Sequence, residues 1–420
     1  MTSIRTLVVL MLWALVSRAA VASDVEVLHW WTSGGEAQSL AELKTRLQAG
    51  GFAWRDAAIE GGGGDAAMAT LQQRVKNGNP PAAALMNSAA IQAWGRQHAL
   101  ANLDAVALDQ KWDIQIPRVV AAGLKVDGHF VAAPFNIHRL NWLWINRDVY
   151  RRFGGRMPET WEQFFALAER MKRGGVLPIA HGGQPWQNFA LFETVLLGVG
   201  GADFYRSALV NLDPQALSSA KMDEALSTLR RVKSYTDGVA ANGRDWNAAT
   251  AMVISGRAGM QFMGDWAKGE FFAAHKLPDR DFICTSTPGT ERAFIFIVDS
   301  FAVFKQKSDD ATAGQRELAR LIMSGNFQQA FNLKKGSIPL ATDVQMAQFD
   351  RCAQESSAYF VATSMLNTLV PSVAIHMSQP LEMETKLKTI VSDFWSDDSM
   401  SNAEAIRRLL QLRATTAALR

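Results

Sequence analysis

The chain has 420 residues, with 43 Lys+Arg against 40 Asp+Glu for a formal net charge of +3, and 48% of its residues are apolar. So even a balance offers no electrostatic footprint for nucleic acid or an anionic membrane surface, and no low-complexity tract or fixed-period repeat argues for disorder or a solenoid. A chain of this length exceeds what one core usually supports, so two lobes are expected.

At the N-terminus Arg5 precedes the apolar run "LVVLMLWALV", Leu7 to Val16, and "AVA" at Ala20 to Ala22 supplies the small residues a signal peptidase needs. The pattern predicts a signal peptide over 1–22, removed before Ser23, and ten apolar residues are too few to span a bilayer. The only cysteines, Cys284 and Cys352, are too few and too far apart for a Cys-based zinc site. In an exported protein they are a candidate disulfide or two free thiols.

"VEVLHWW" reads as a first strand, Val25 to Trp31, and "EAQSLAELKTRLQAG" as a helix with Leu40, Leu43 and Leu47 on one face and a stop at Gly50. "FAWRDAAIE" reads as a second strand and "DAAMATLQQRVKNGNPP" as a second helix, which is the βαβ rhythm of an α/β protein. Between them "GGGGD", Gly61 to Asp65, lacks the lysine and spacing of a phosphate loop and is read as a tight turn. "HFVAAPF" and "NWLWINRDVY" follow as strands, "ETWEQFFALAERMKRGG" as a helix over Trp161 to Arg173, and "GMQFMGDWA" as a strand running into a loop. "RAFIFIVDSFAVFK", Arg292 to Lys305, reads as one strongly apolar strand.

Ligands of open α/β sheets bind beyond the carboxyl ends of strands, where Trp30 and Trp31 fall. They are either core and cover or a platform on which the C–H face of a sugar stacks. Of the 13 tryptophans, Trp186 in "QPWQN", Trp246 in "RDWN" and Trp266 in "GDWAKGE" also sit among polar loop residues. Asp299 interrupts an apolar strand, where a carboxylate needs partners or a ligand hydroxyl. His29, His129, His138 and His181 have no metal-binding spacing, so no metal is expected. Ser372 and His376 are read as a hydrogen-bonded pair one helical turn apart, not as a catalytic one.

Eight stretches in order, "VLHWWTSGGEAQSL", "GNPPAAALMN", "PFNIHRLNWLWINRDVY", "TWEQFFALAERMK", "FMGDWAKGEF", "IVDSFAVFKQ", "NLKKGSIP" and "PSVAIH", together resemble the periplasmic glucose-type solute-binding proteins of ABC sugar importers, in extracellular solute-binding protein family 1. The resemblance implies a two-lobed α/β fold of the periplasmic-binding-protein (Venus flytrap) type, its lobes joined by hinge strands. It implies an N-terminal lobe of residues 23–134 and 294–334 and a C-terminal lobe of 135–293 and 335–420, which holds both cysteines. It implies a periplasmic protein without cofactor or catalysis that takes up a sugar such as glucose and hands it to a membrane permease; with no coiled-coil heptad or dimer stripe in the sequence, a monomer is expected. The ligand would meet Trp30, Trp31, Glu36, Asn87, Trp246, Trp266, Asp299, Lys335 and His376, with Gly34 and Gly35 turning the backbone around it. Asn136, His138 and Arg139 fall where the chain crosses between lobes, either to order the hinge, the favoured reading, or to touch the ligand.

One departure bears on the sugar. Where the glucose binders have a glutamine and, two residues on, a lysine or histidine, this chain has Leu85 and Asn87. A site missing one hydroxyl partner loses much affinity, so glucose is less firmly implied than sugar. The reading from another class is a secreted glycoside hydrolase with Glu36 and Asp299 as acid and base.

Overall fold

The structure, a computed structural model, describes residues 24–417 apart from 308, 310 and 342; the expected signal segment 1–22 lies outside the described residues. The strands are β1 (Val25–His29), β2 (Trp54–Ala58), β3 (Ala83–Met86), β4 (Lys125–Val126), β5 (His129–Phe130), β6 (Ala132–Pro134), β7 (His138–Arg139), β8 (Trp142–Asn146), β9 (Leu177–Ile179), β10 (Ala258–Phe262), β11 (Phe282–Ser286), β12 (Phe294–Ile297), β13 (Ser300–Val303) and β14 (Leu369–Pro371). They form a five-stranded sheet ordered β2-β1-β3-β13-β6, a four-stranded sheet β11-β8-β10-β9 and a three-stranded sheet β14-β12-β7, with the β4-β5 hairpin apart. Helices flank the sheets in a two-lobed α/β fold.

Local chemistry explains the elements that hold the site. The helix Gly34–Ala49 starts at Ser33 in a reciprocal capping box with Glu36, and it buries Leu40, Leu43 and Leu47. The helix Trp161–Arg173 starts where the Thr160 side chain accepts from Gln163 N, ends at Gly174, and buries Phe164, Phe165, Ala168 and Met171 as one stripe. Within "NWLWINRDVY" the expected strand ends halfway. The Asn146 side chain accepts from Val149 N at 3.0 Å and caps a helix over Arg147–Phe153.

"RAFIFIVDSFAVFK" is two strands, not one. All four residues of β12 are buried, and β12 pairs with β14 and β7; β13 belongs to the five-stranded sheet. The chain changes sheets at Val298 and Asp299, so β12, at the start of the segment 294–334, lies in the three-stranded sheet. Beside it, residues 135–137 pass from β6 to β7. The two crossings are joined by Phe135 N donating to Asp299 O at 2.9 Å and Asp299 N donating to Asn136 Oδ1 at 3.2 Å. A carboxylate in a strongly apolar stretch thus marks the point where the backbone leaves one sheet for another.

Cys284 on β11 and Cys352 at the start of the helix Arg351–Met365 are disulfide-bonded, with Cα atoms 6.1 Å apart and a sequence separation of 68. Neither segment joins the five-stranded sheet, so the bridge leaves the crossings free. Closing a loop of that length stabilises by about 4 kcal/mol on the chain-entropy account. Reduction should lower the melting temperature clearly while leaving ligand affinity within about twofold, read by thermal denaturation with and without a reductant; an unchanged melting temperature would contradict it.

Candidate functional site

Where the strands change sheets the structure forms a partly open pocket of about 30 Å³, well below the roughly 300–1,000 Å³ typical of sites that already hold a small molecule. Its walls are mostly indole: Trp30 and Trp31 just beyond β1, Trp186, Trp246, and Trp266 just beyond β10. Trp31 is half of each thing its position suggested. Its ring packs edge-on to Phe135 at 5.1 Å and lies near Phe301 and Phe331, yet it also faces the cavity. Such rings offer apolar faces, and polar groups must supply the rest.

Two buried charge clusters supply them. Lys335 Nζ bonds Glu36 Oε1 at 2.7 Å and lies 4.9 Å from the Trp31 ring centroid, while Ser33 Oγ donates to Glu36 Oε2 at 3.1 Å. The second centres on His138, with Nε2 3.0 Å from Asp299 Oδ2 and Nδ1 bonded to Asp265, whose other oxygen accepts from Arg139 N at 2.9 Å. Trp266 meets the His138 ring edge-on at 5.2 Å. Burial opposes charge on His138, but Asp265 and Asp299 outweigh it and hold its pKa up at about 9. Burial likewise opposes charge on Asp299, yet His138, and then Lys335 and Asn87, keep it below its ordinary value. A charged imidazole therefore stands between two carboxylates, one of them on the cavity wall.

That arrangement has a pH signature. Because the folded value of His138 lies above its ordinary 6.5, its stabilisation is complete below about pH 6.5 and lost as pH rises through about 9. The shift corresponds to about 3 kcal/mol. Denaturant unfolding of the wild type and His138→Gln should show the wild type losing most of its advantage by about pH 10; parallel curves would contradict this.

Several residues stand elsewhere than expected. Asn87 does not line the cavity: its Nδ2 donates to Val298 O at 2.8 Å and to Asp299 Oδ1 at 3.3 Å, so it supports the carboxylate from behind. Leu85 is buried in β3 opposite Phe301. His376 also lies behind the wall. Its Nε2 is 3.0 Å from Gly63 O and its Nδ1 2.9 Å from Glu384 Oε1, because Glu384 and Lys388 of the helix Leu381–Ser396 sit beneath it. Lys388 Nζ bonds Asp65 at 2.8 Å and Glu384 at 2.6 Å, so an ammonium already supplies the positive charge where Asp65, His376 and Glu384 converge. Ser372 is not paired with His376; its hydroxyl donates to Glu193 Oε1 at 2.6 Å. Gly35 serves a backbone contact instead of a ligand: a Cβ there would lie 2.6 Å from the carbonyl carbon of Gly269, and its N–H donates to Glu270 Oε1 at 2.8 Å.

Trp30, Trp31, Glu36, Trp246, Trp266, Asp299 and Lys335 do share the wall. His138, Trp186, Gly62 and Gly63 join them; for His138 this is the less favoured of its two expected roles, and the glycines were expected only as a turn. Asp265 is not among the residues the sequence singles out, although a carboxylate next to an indole between Gly264 and Gly269 is a usable signal.

The model of the bacterial extracellular solute-binding protein family matches residues 56–316. The chain is 43% identical over 401 residues to a "probable sugar-binding periplasmic protein" of Rhizobium meliloti, covering 96% of this chain and 95% of that one. It is 44% identical over 395 residues to a protein of the same description from Brucella suis, covering 94% and 93%. Among solved structures, the bacterial solute receptor AcbH, described as preferring β-D-galactopyranose exclusively, superposes with a TM-score of 0.78 at 17% identity over 94% of this chain and 99% of that one. A chitin oligosaccharide binding protein superposes with the same score at 14% identity over 94% and 100%. No described helix is long and apolar enough to cross a membrane. The chain belongs to the bacterial extracellular solute-binding proteins, periplasmic like these relatives.

Proposed function

We propose that this protein captures one sugar ring, glucose or a monosaccharide of similar size, between its lobes and delivers it to the membrane permease of an ABC importer. The observation that carries the reading is the cavity itself: five indole walls with the Glu36–Lys335 pair and Asp299 of the His138 cluster facing one small space. Indole faces suit the C–H faces of a pyranose, and charged acceptors and donors suit its hydroxyls. The ligand touches both lobes only when they are closed, so binding shifts the hinge equilibrium toward closure and no covalent step is needed. The closed monomer is the form the permease would receive.

Hydrolysis is the weaker reading. A glycosidase needs a carboxylic acid with a raised pKa, whereas His138 holds Asp299 down. Small-angle scattering of ligand-stripped protein should show the radius of gyration fall at saturating glucose or galactose, with the sugar recovered intact. An unchanged radius at proven saturation would contradict closure.

A further inference from the structure

We infer that Trp186 and the glycine run Gly62–Gly63 form a stop that limits this site to a single sugar ring, so that Trp186 is a specificity-determining residue. The inference rests on the reading of the cavity as a sugar site and concerns which sugars fit it. Trp186 stands in the first turn of the helix Pro185–Tyr205, and the two glycines lie between β2 and the helix Asp65–Lys76, which leads on to the five-stranded sheet. Both line the cavity.

There the walls touch. A Cβ on Gly63 would lie 2.6 Å from Trp186 Cγ, and one on Gly62 would lie 2.9 Å from Trp186 Cζ2 and 2.8 Å from Trp246 Cδ1. The bare glycine backbone therefore rests directly on the indoles, and nothing the size of a second sugar passes between them. Gly63 also has φ +78, a conformation that side chains other than glycine rarely adopt.

The indole is fixed as a wall instead of a hydroxyl partner. Its Nε1 donates to Gln184 Oε1 at 2.8 Å, and that oxygen also accepts from Gln187 Nε2 at 2.9 Å. Gln184 Nε2 in turn donates to Asp245, the residue before Trp246, at 2.6 Å. The N–H that could read a hydroxyl is held inside the protein, while the ring face is left against the glycines. The glycine side is pinned too, since Gly63 O lies 3.0 Å from His376 Nε2 and Asp65 bonds Lys388. A stop held from both sides resists being pushed aside by a longer ligand.

The test is calorimetry of the mature wild type, Trp186→Ala and Trp186→Phe with glucose, galactose, maltose, cellobiose, lactose and melibiose. The wild type should prefer its monosaccharide over every disaccharide by at least about 100-fold, Trp186→Ala should narrow that ratio at least tenfold for one linkage, and Trp186→Phe should retain most of it. Gly63→Ala, which adds a methyl without removing the stop, should weaken the monosaccharide itself at least tenfold. Wild type that binds a disaccharide as tightly as its monosaccharide, or a folded Trp186→Ala that binds the monosaccharide with the ratio unchanged, overturns the stop and leaves sugar capture standing. Wild type that binds none of the six, nor mannose, xylose or a polyol, overturns both.

Discussion

Asp299→Asn is expected to weaken sugar binding about 100-fold. A hydrogen bond to a charged acceptor contributes about 1.5–3 kcal/mol, and each 1.4 kcal/mol is tenfold. The amide removes the charge and also turns a donor toward two groups that now donate to the carboxylate, Asn87 Nδ2 at 3.3 Å and the His138 cation at 3.0 Å. His138 would keep Asp265 alone, so its pKa should fall and the stability advantage should disappear at lower pH than in the wild type. Calorimetry and a pH series of unfolding curves read both effects. Affinity within a factor of three of wild type would remove Asp299 from the binding set.

Lys388→Met should have the largest effect on stability. Lys388 and Glu384 are both buried, and burial opposes charge on each, yet mutual attraction and Asp65 raise the Lys388 pKa while His376 and Lys388 lower that of Glu384. Removing the ammonium leaves a buried carboxylate with only His376 beside it, a change that costs about 3–5 kcal/mol. Because Lys388 ties the helix Leu381–Ser396 to Asp65 beside the glycine run, the same variant should loosen closure and speed ligand release. Glu384→Gln combined with Lys388→Met should recover much of the stability, since it removes the stranded charge, without recovering the contact to Asp65. If the single variant unfolds with the wild type within about 1 kcal/mol, the buried network is not holding the structure as described.

The parts legible in the sequence were those set by local chemistry. The helix Trp161–Arg173 has a capping threonine, an apolar stripe and a terminal glycine, and each signal lies within a few residues of the element it sets. The indoles at 30, 31, 246 and 266 stood out because they sit among polar residues, and Asp299 because a carboxylate interrupts an apolar run. What remained hidden was convergence over long sequence distances. His138 meets Asp265 and Asp299 across 127 and 161 residues, and no periodicity encodes that meeting. The apolar run from Phe294 hides a change of sheet because two strands buried in different sheets have the same composition as one long strand. His376 and Asn87 carried motif positions that suggested contact with ligand, but packing set them one layer back, where they support Gly63 and Asp299. Leu85 and Asn87 therefore change the backing of the site more than its inner surface.

The most direct measurement is isothermal titration of the mature protein, stripped of carried-over ligand by unfolding and refolding, against glucose, galactose, mannose, xylose and a polyol. The account predicts one-to-one binding of at least one monosaccharide at micromolar affinity or tighter, with no turnover. Absence of heat across the whole series, with the refolded protein shown to be native, would contradict it.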